Sequence, residues 1–280
     1  METALSRLPG IKGGIMKRLT ISTAFMALIP LVLVPLAIEA GEWDSHFSAG
    51  PSLTSMGELT TVVARFDAIL QVLNDYFEEF PAEVRGVVPP IRRIGGGVSV
   101  IAGERYWLWP GFALGIATEF SHSRDGTSGV YQSRERDYAV DVHVEASLLG
   151  AALDVQAIVL DAGIRLGVGI RLGYYLARLD VLSSFEVPQE YPDQLAGIPP
   201  DLEDRFTGGA FGGEFAFVVS YPIAPWLTAR AEAIYRVVPA QLANTVGDQL
   251  DFDGNGTPER ISLGGFAVRL GFSLRLDLSG

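Results

Sequence analysis

Read in steps of two, the chain resolves into strands. Leu270, Phe272, Leu274, Leu276 and Leu278 are apolar, while Arg269, Gly271, Ser273, Arg275 and Asp277 stand between and beside them. Strict alternation puts one class of side chain on each face of a β-strand. Ile164, Leu166, Val168, Ile170, Leu172, Tyr174 and Leu176 repeat the pattern against Gly163, Arg165, Gly167, Gly169, Arg171 and Gly173. It recurs in Tyr138, Val140, Val142, Val144, Ala146 and Leu148, opposite Ala139, Asp141, His143, Glu145 and Ser147. Weaker copies run through 206–221 and 227–237. The predicted strands are 42–54, 91–103, 111–122, 138–149, 160–178, 206–221, 226–237 and 261–278. Segment 150–159 reads equally as a turn or as an extension of a neighbour. Eight strands is the expected count and ten the next.

Amphipathic strands of this kind suit two architectures. A soluble sandwich or barrel turns the apolar face inward; a membrane barrel turns it towards lipid and keeps a polar interior. Glycine on the polar face, strands at or above the length that crosses a bilayer when tilted, and alternately tight and long connections favour the second. The four tryptophans add to this. With a first strand starting near Trp43 and turns at 104–110 and 222–225, Trp43, Trp107, Trp109 and Trp226 fall at one end, as a periplasmic aromatic girdle requires. Tyr138, Tyr175, Phe206 and Tyr235 fall towards the opposite rim. The expected fold is therefore an all-β, antiparallel up-and-down transmembrane barrel.

One segment has a different period. Leu59, Val62, Val63, Phe66, Ile69, Leu70, Leu73, Tyr76, Phe77 and Phe80 recur at three and four residues, the mark of an amphipathic helix, and Pro81 ends it. It lies within an insertion, 57–88, in the first outer loop. Its stripe must be buried on the barrel rim, in lipid headgroups or on a surface partner that binds helix 58–80. Because the helix adds nothing to the strand ladder, it is expected to be dispensable for barrel closure.

The N-terminus reads as an address. Lys17 and Arg18 precede the uncharged stretch 20–38, and Ala40 offers a small residue for cleavage, so 1–40 is expected to be a cleaved signal peptide and 41–280 the barrel domain. Met16-Lys17-Arg18 is the more usual opening of such a segment than Met1. The whole chain carries a net charge of −12, and removing 1–40 leaves 17 Arg, no Lys and 31 acidic residues. Nothing in that balance could neutralise a nucleic-acid backbone. The absence of Cys excludes disulfides and thiolate sites.

With these features together, residues 42–278 resemble the small outer-membrane β-barrel superfamily, the eight-stranded class that includes outer-membrane proteins A, X and W. The closing strand, Arg269-Leu270-Gly271-Phe272-Ser273-Leu274-Arg275-Leu276, is similar to the assembly signal of that class. It departs from the pattern in running on to Leu278-Ser279-Gly280 instead of stopping on an aromatic residue. The resemblance implies a place in the outer membrane of a Gram-negative bacterium, contact with outer-membrane lipid, and recognition of 269–276 by the barrel-assembly machinery. An eight-stranded interior is filled by side chains, which excludes a general diffusion pore. A structural, adhesion or surface-binding role is the first expectation. A lipid-modifying hydrolase and a narrow channel for small apolar solutes are the alternatives.

Three groups of residues carry candidate chemistry. Arg165, Arg171, Arg269 and Arg275, facing Asp141, Glu145, Glu214 and Glu232, suit a lumen charge network, because enclosed charges must pair. In the last outer loop Asp251, Asp253, Asn255 and Thr257, with Glu259 beyond, resemble the start of a calcium loop, although Ser262 stands where the closing bidentate Glu belongs. No other cofactor is expected. Some barrels of the resembling class modify lipid with a His and a Ser near the outer rim. Here that implies His122 and Ser123, with Glu145 to orient the His.

Overall fold

The computed structural model describes residues 42–55, 59–79, 84–91, 96–133, 137–185, 201–244, 246–247 and 260–277. In chain order its elements are β1 (Glu42–Ser55), α1 (Leu59–Glu79), β2 (Val84–Arg85), β3 (Gly96–Trp109), β4 (Phe112–Ser133), β5 (Asp137–Asp161), β6 (Arg165–Phe185), β7 (Asp201–Ala224), β8 (Leu227–Val237), β9 (Pro239–Gln241), β10 (Arg260–Ser262) and β11 (Gly264–Asp277). Eight of the strands close a ring in the order β1-β3-β4-β5-β6-β7-β8-β11, with β11 returning antiparallel to β1. His46 shows the closure directly, standing opposite Gly103 on one side and Ser273 on the other. The expected barrel and strand count both hold.

Strand boundaries differ from the expected ones mostly by extension. The supposed turn at 104–110 is strand as far as Trp109, and the chain reverses at Pro110 and Gly111. Segment 150–159 belongs to β5, and β4 runs on to Ser133. The strands β4, β5, β6 and β7 have 22, 25, 21 and 24 residues, about twice the 9–11 needed to cross a bilayer. They therefore stand well beyond any membrane at the end away from the termini.

The two halves of these long strands are dressed in opposite ways. Near the termini the outer wall exposes Leu114, Phe120, Leu153, Leu172, Phe215, Phe217, Leu270 and Phe272, while charged and hydroxyl side chains are buried inside. That is the arrangement of a membrane-spanning barrel. Further along, the inner face becomes apolar, with Val140, Val142, Val144, Leu148, Leu179 and Val181 buried. There the outer face carries Arg124, Glu145, Arg178, Asp180 and Arg205, paired across the wall. This is the pattern of a soluble barrel. It corrects the expected placement of Asp141 and Glu145, which lie on the outer wall with His143 and Arg124 as partners, not in the lumen.

The tall wall closes over its own core with the help of α1. Phe66, Leu70 and Leu73 of the helix are buried in one cluster with Val142, Val144, Leu179, Val238, Ala240 and Ile261. Of the covers expected for the stripe, the barrel's own mouth supplies that of Phe66, Leu70 and Leu73, so these residues are part of a shared core and not of a free surface helix. Polar contacts fix the helix there. The Asn74 side chain donates to the Val88 carbonyl (2.9 Å) and accepts from the Val88 amide (3.0 Å) and the Tyr131 hydroxyl (2.6 Å). Asp67 accepts from the Ile91 amide at 2.7 Å. Gly129 is needed where this segment crosses the wall, since a Cβ there would lie 2.7 Å from Val88 Cγ2. The short hairpin of β9 and β10, bridged to β7 through Thr207 and Ala243, covers the remaining side.

Candidate functional site: the charge network in the lumen

The lower lumen is filled by one connected set of charged and polar side chains to which every barrel strand contributes. Glu119 accepts from Arg236, from Arg269 and from the Ser99 hydroxyl (3.1 Å). Arg269 also donates to Glu214 at 3.3 Å, and its Nε and Nη2 reach Ser99 Oγ at 3.0 and 2.6 Å. Arg171 sits at the hub, donating to Glu214, to Glu232 (3.1 Å) and to Asp154 (3.3 Å). Asp154 accepts from Arg105 at 2.6 Å, Arg105 meets His46 Nε2 at 3.1 Å, and Arg230 completes the set on Glu232. A guanidinium has donors only, so His46 Nε2 must be the acceptor there. Gly103 leaves room for that ring, since a Cβ would stand 2.6 Å from His46 Cε1.

Burial makes these pairings obligatory. Arg105 and Arg269 are 0% exposed and Arg171 only 1%. An unpaired ion in such a place would cost several kcal/mol, so each of the five guanidiniums and four carboxylates depends on the opposite charge it meets. What the arrangement does chemically is to close the barrel: it crosses the lumen from β1 to β7 and leaves charged groups engaged with one another. Among the described residues, no group of three or more His, Asp or Glu is placed to hold a metal ion.

The residues expected from sequence divide clearly. Arg171, Arg269, Glu214 and Glu232 are in the network. Arg165 and Arg275 are not, pairing instead with Asp161 (3.0 Å) and Glu42 (3.0 Å) at the mouth near the termini. There they line a small recess with Asp44, Trp107, Gln156 and Arg230. Trp107 is consequently not part of a girdle: it faces inward, 6.0 Å beneath the Arg275 guanidinium. Trp109 and Trp226 are exposed on the outside of the same end, and Trp43 stacks at a tilt against Tyr106. At the far end only Tyr235 faces outward, whereas Tyr138, Tyr175 and Phe206 are buried inside.

His122 and Ser123 are consecutive strand residues and point to opposite sides of the wall. His122 Nδ1 meets Ser147 Oγ at 3.0 Å on the outside, while the buried Ser123 hydroxyl donates to the Gly96 carbonyl at 3.2 Å inside. They form no dyad. Residues 251–259, the calcium-like loop, lie outside the described residues. Sequence reasoning missed Arg105, which fell in the supposed turn, and Asp154, which fell in the undecided segment. It also missed Glu119, Arg230 and Arg236, whose alternation with apolar neighbours was the available signal.

No family model matches the chain, and no curated protein matches it in sequence. Among solved structures it is similar to the outer membrane protein OprG from Pseudomonas aeruginosa, at 7% identity over 85% of this chain and 97% of that one, with a TM-score of 0.41. It is similar to the outer membrane protease OmpT from Escherichia coli, at 10% identity over 86% and 99%, TM-score 0.39. A major outer membrane protein from Thermus thermophilus gives 12% identity over 85% and 100%, TM-score 0.38. By its own strand ladder and the sidedness of its wall, the chain is an eight-stranded antiparallel β-barrel built to span a membrane.

Proposed function

We propose that the protein is a closed outer-membrane barrel of a Gram-negative bacterium, with a structural or surface-binding role performed by its raised half. The observation that carries this reading is the double closure of the lumen, by paired charges below and by an apolar core capped with α1 above. A conduit needs neither. The short reversals at 110–111, 162–164 and 225–226 lie with the termini, so that end is assigned to the periplasm and the α1 end to the outside. Residues 1–40 serve as the signal peptide, cleaved after Ala40, and 269–276 as the signal to the assembly machinery. The folded, helix-capped outer half is what a surface partner would meet.

Two measurements test this. Membrane fractionation combined with protease shaving of intact cells should find the protein in the outer membrane and cut it first in the connections at the α1 end. N-terminal sequencing of the exported protein should begin at Gly41. Recovery in the soluble fraction, or cleavage only from the periplasmic side, would overturn the assignment.

A further inference from the structure

We infer that the outer wall of β4–β7, just above the apolar belt, binds the phosphate headgroup of an anionic lipid. The inference rests on the membrane reading above. Its starting point is where the arginines are. Among the described side chains of the barrel strands, all but three arginines face the lumen or line its lower mouth. The exceptions are Arg124, Arg178 and Arg205, and they lie together.

Cross-strand register places Arg124, Glu145, Asp180 and Arg205 in a single row across four neighbouring strands. Arg178 stands one outward position nearer the belt, directly above Leu176. Phe120 and Leu176 flank Leu149 in the last apolar row below. The cationic groups therefore lie at the height where hydrocarbon gives way to headgroups.

Their geometry is prepared. Asp180 accepts from Arg178 Nε (2.5 Å) and Nη2 (3.0 Å) and from Arg205 Nε (2.6 Å), so one carboxylate holds two guanidiniums side by side. Burial opposes ionisation of Asp180, but the hydrogen bonds and charges of Arg178 and Arg205 outweigh it and hold its carboxyl below the usual range. Around Asp180 two cations face one anion, Arg124, held by Glu145 at 3.1 Å, adds another guanidinium along the row, and Glu203 stands one outward position farther from the belt than Arg205. The three side chains remain 57%, 39% and 45% exposed, with N–H groups to spare for a phosphate's oxygens. In a chain of net charge −12, such a cluster stands out among the described residues of the outer wall as a place for an anion. Acyl chains attached to that phosphate would lie on Phe120 and Leu176, which a free ion could not use.

The test is lipid association in vesicles. The refolded exported chain is reconstituted in phosphatidylcholine with a trace of spin-labelled phosphatidic acid or spin-labelled phosphatidylcholine, and the motionally restricted fraction is compared. Phosphatidic acid should be preferred by about tenfold. Arg178→Gln/Arg205→Gln should remove most of that preference, whereas Arg165→Gln/Arg275→Gln at the opposite mouth, with the same loss of two charges, should leave it. Arg178→Lys/Arg205→Lys, which keeps the charge and guards against a folding defect, should retain an intermediate preference. Equal restriction of the two lipids, or equal loss in Arg165→Gln/Arg275→Gln, would overturn the inference and leave the membrane reading intact. If inorganic phosphate abolished the preference and chloride of the same ionic strength did not, the site would belong to free phosphate and the lipid assignment would fall. A chain that never entered the vesicles would overturn both.

Discussion

At the residue scale, the network should respond to removal of one member more than to removal of a pair. Arg269→Ala leaves Glu119 and Glu214 buried without their shared partner and should destabilise the barrel in detergent by about 3–5 kcal/mol. Urea unfolding followed by heat-dependent migration would measure it, and Glu119→Gln in the same chain should recover part of the loss. Tyr131 offers a second readout outside the membrane. Burial lifts its hydroxyl from 10 to about 12, against a backbone hydrogen bond at Val88 that opposes the shift. The folded state therefore keeps a proton that the unfolded chain gives up. That contribution is whole below about pH 10 and fades as the pH rises towards 12. The alkaline loss of stability should be smaller in Tyr131→Phe. Legibility at this scale was uneven for a physical reason. Arg171 and Arg269 could be read because alternation fixes which residues share a face. Asp141 and Glu145 obeyed the same parity, yet parity does not say whether a face looks in or out.

At the element scale, α1 behaves as a core element rather than an appendage. Its period was plain in the sequence, and its span, 59–79, agrees closely with the reading. Its position was not readable, because an apolar stripe states only that something must cover it. With Leu73 wholly buried, Leu73→Ala should cost about 2–5 kcal/mol of the outer half's stability. Hydrogen exchange should show the loss at α1 and 84–91, with the lower ring still protected. Replacing 57–88 by a short linker should leave the ring able to close but expose Val142, Val144 and Leu179, so the product should bind a hydrophobic dye that the native barrel does not. If that product were as stable as the parent, the packing role of α1 would be refuted. The exchange of faces did leave a trace in the sequence. Leu148 and Leu149 are apolar in succession, as are Tyr174, Tyr175 and Leu176, and such doubly apolar stretches mark where the apolar residues pass from the outward to the inward positions of a strand.

At the scale of the whole molecule, closure at two levels argues that the purified barrel carries no steady current. Planar bilayer recordings should show none above leak, and opening should not follow from displacing α1 alone, since the charges below remain paired. A stable conductance in the native protein would favour the channel alternative. The fold was largely legible because it depends on sums over many residues, where single errors cancel. The network was half legible because it depends on individual positions, and Arg105 was lost with one misplaced turn.

The exchange of faces along β4–β7 also fixes a waterline. A barrel dressed alike from end to end can ride higher or lower as its bilayer thickens or thins. This one cannot. Sinking by one row would take Arg178, with His122 and Ser147, into the edge of the hydrocarbon, and by two rows Arg124, Glu145, Asp180 and Arg205 as well, each arginine costing up to about 1 kcal/mol near the interface and about 2–4 kcal/mol at the midplane. Rising by one row would lift Phe120 and Leu176 out of the hydrocarbon and into the headgroups. The lipid must then adapt to the protein, stretching or thinning around it at a cost that accumulates with each ångström of mismatch. Reconstitution into phosphatidylcholines of increasing chain length should accordingly show a sharp optimum in incorporation, with the protein acting as a gauge of the membrane that holds it.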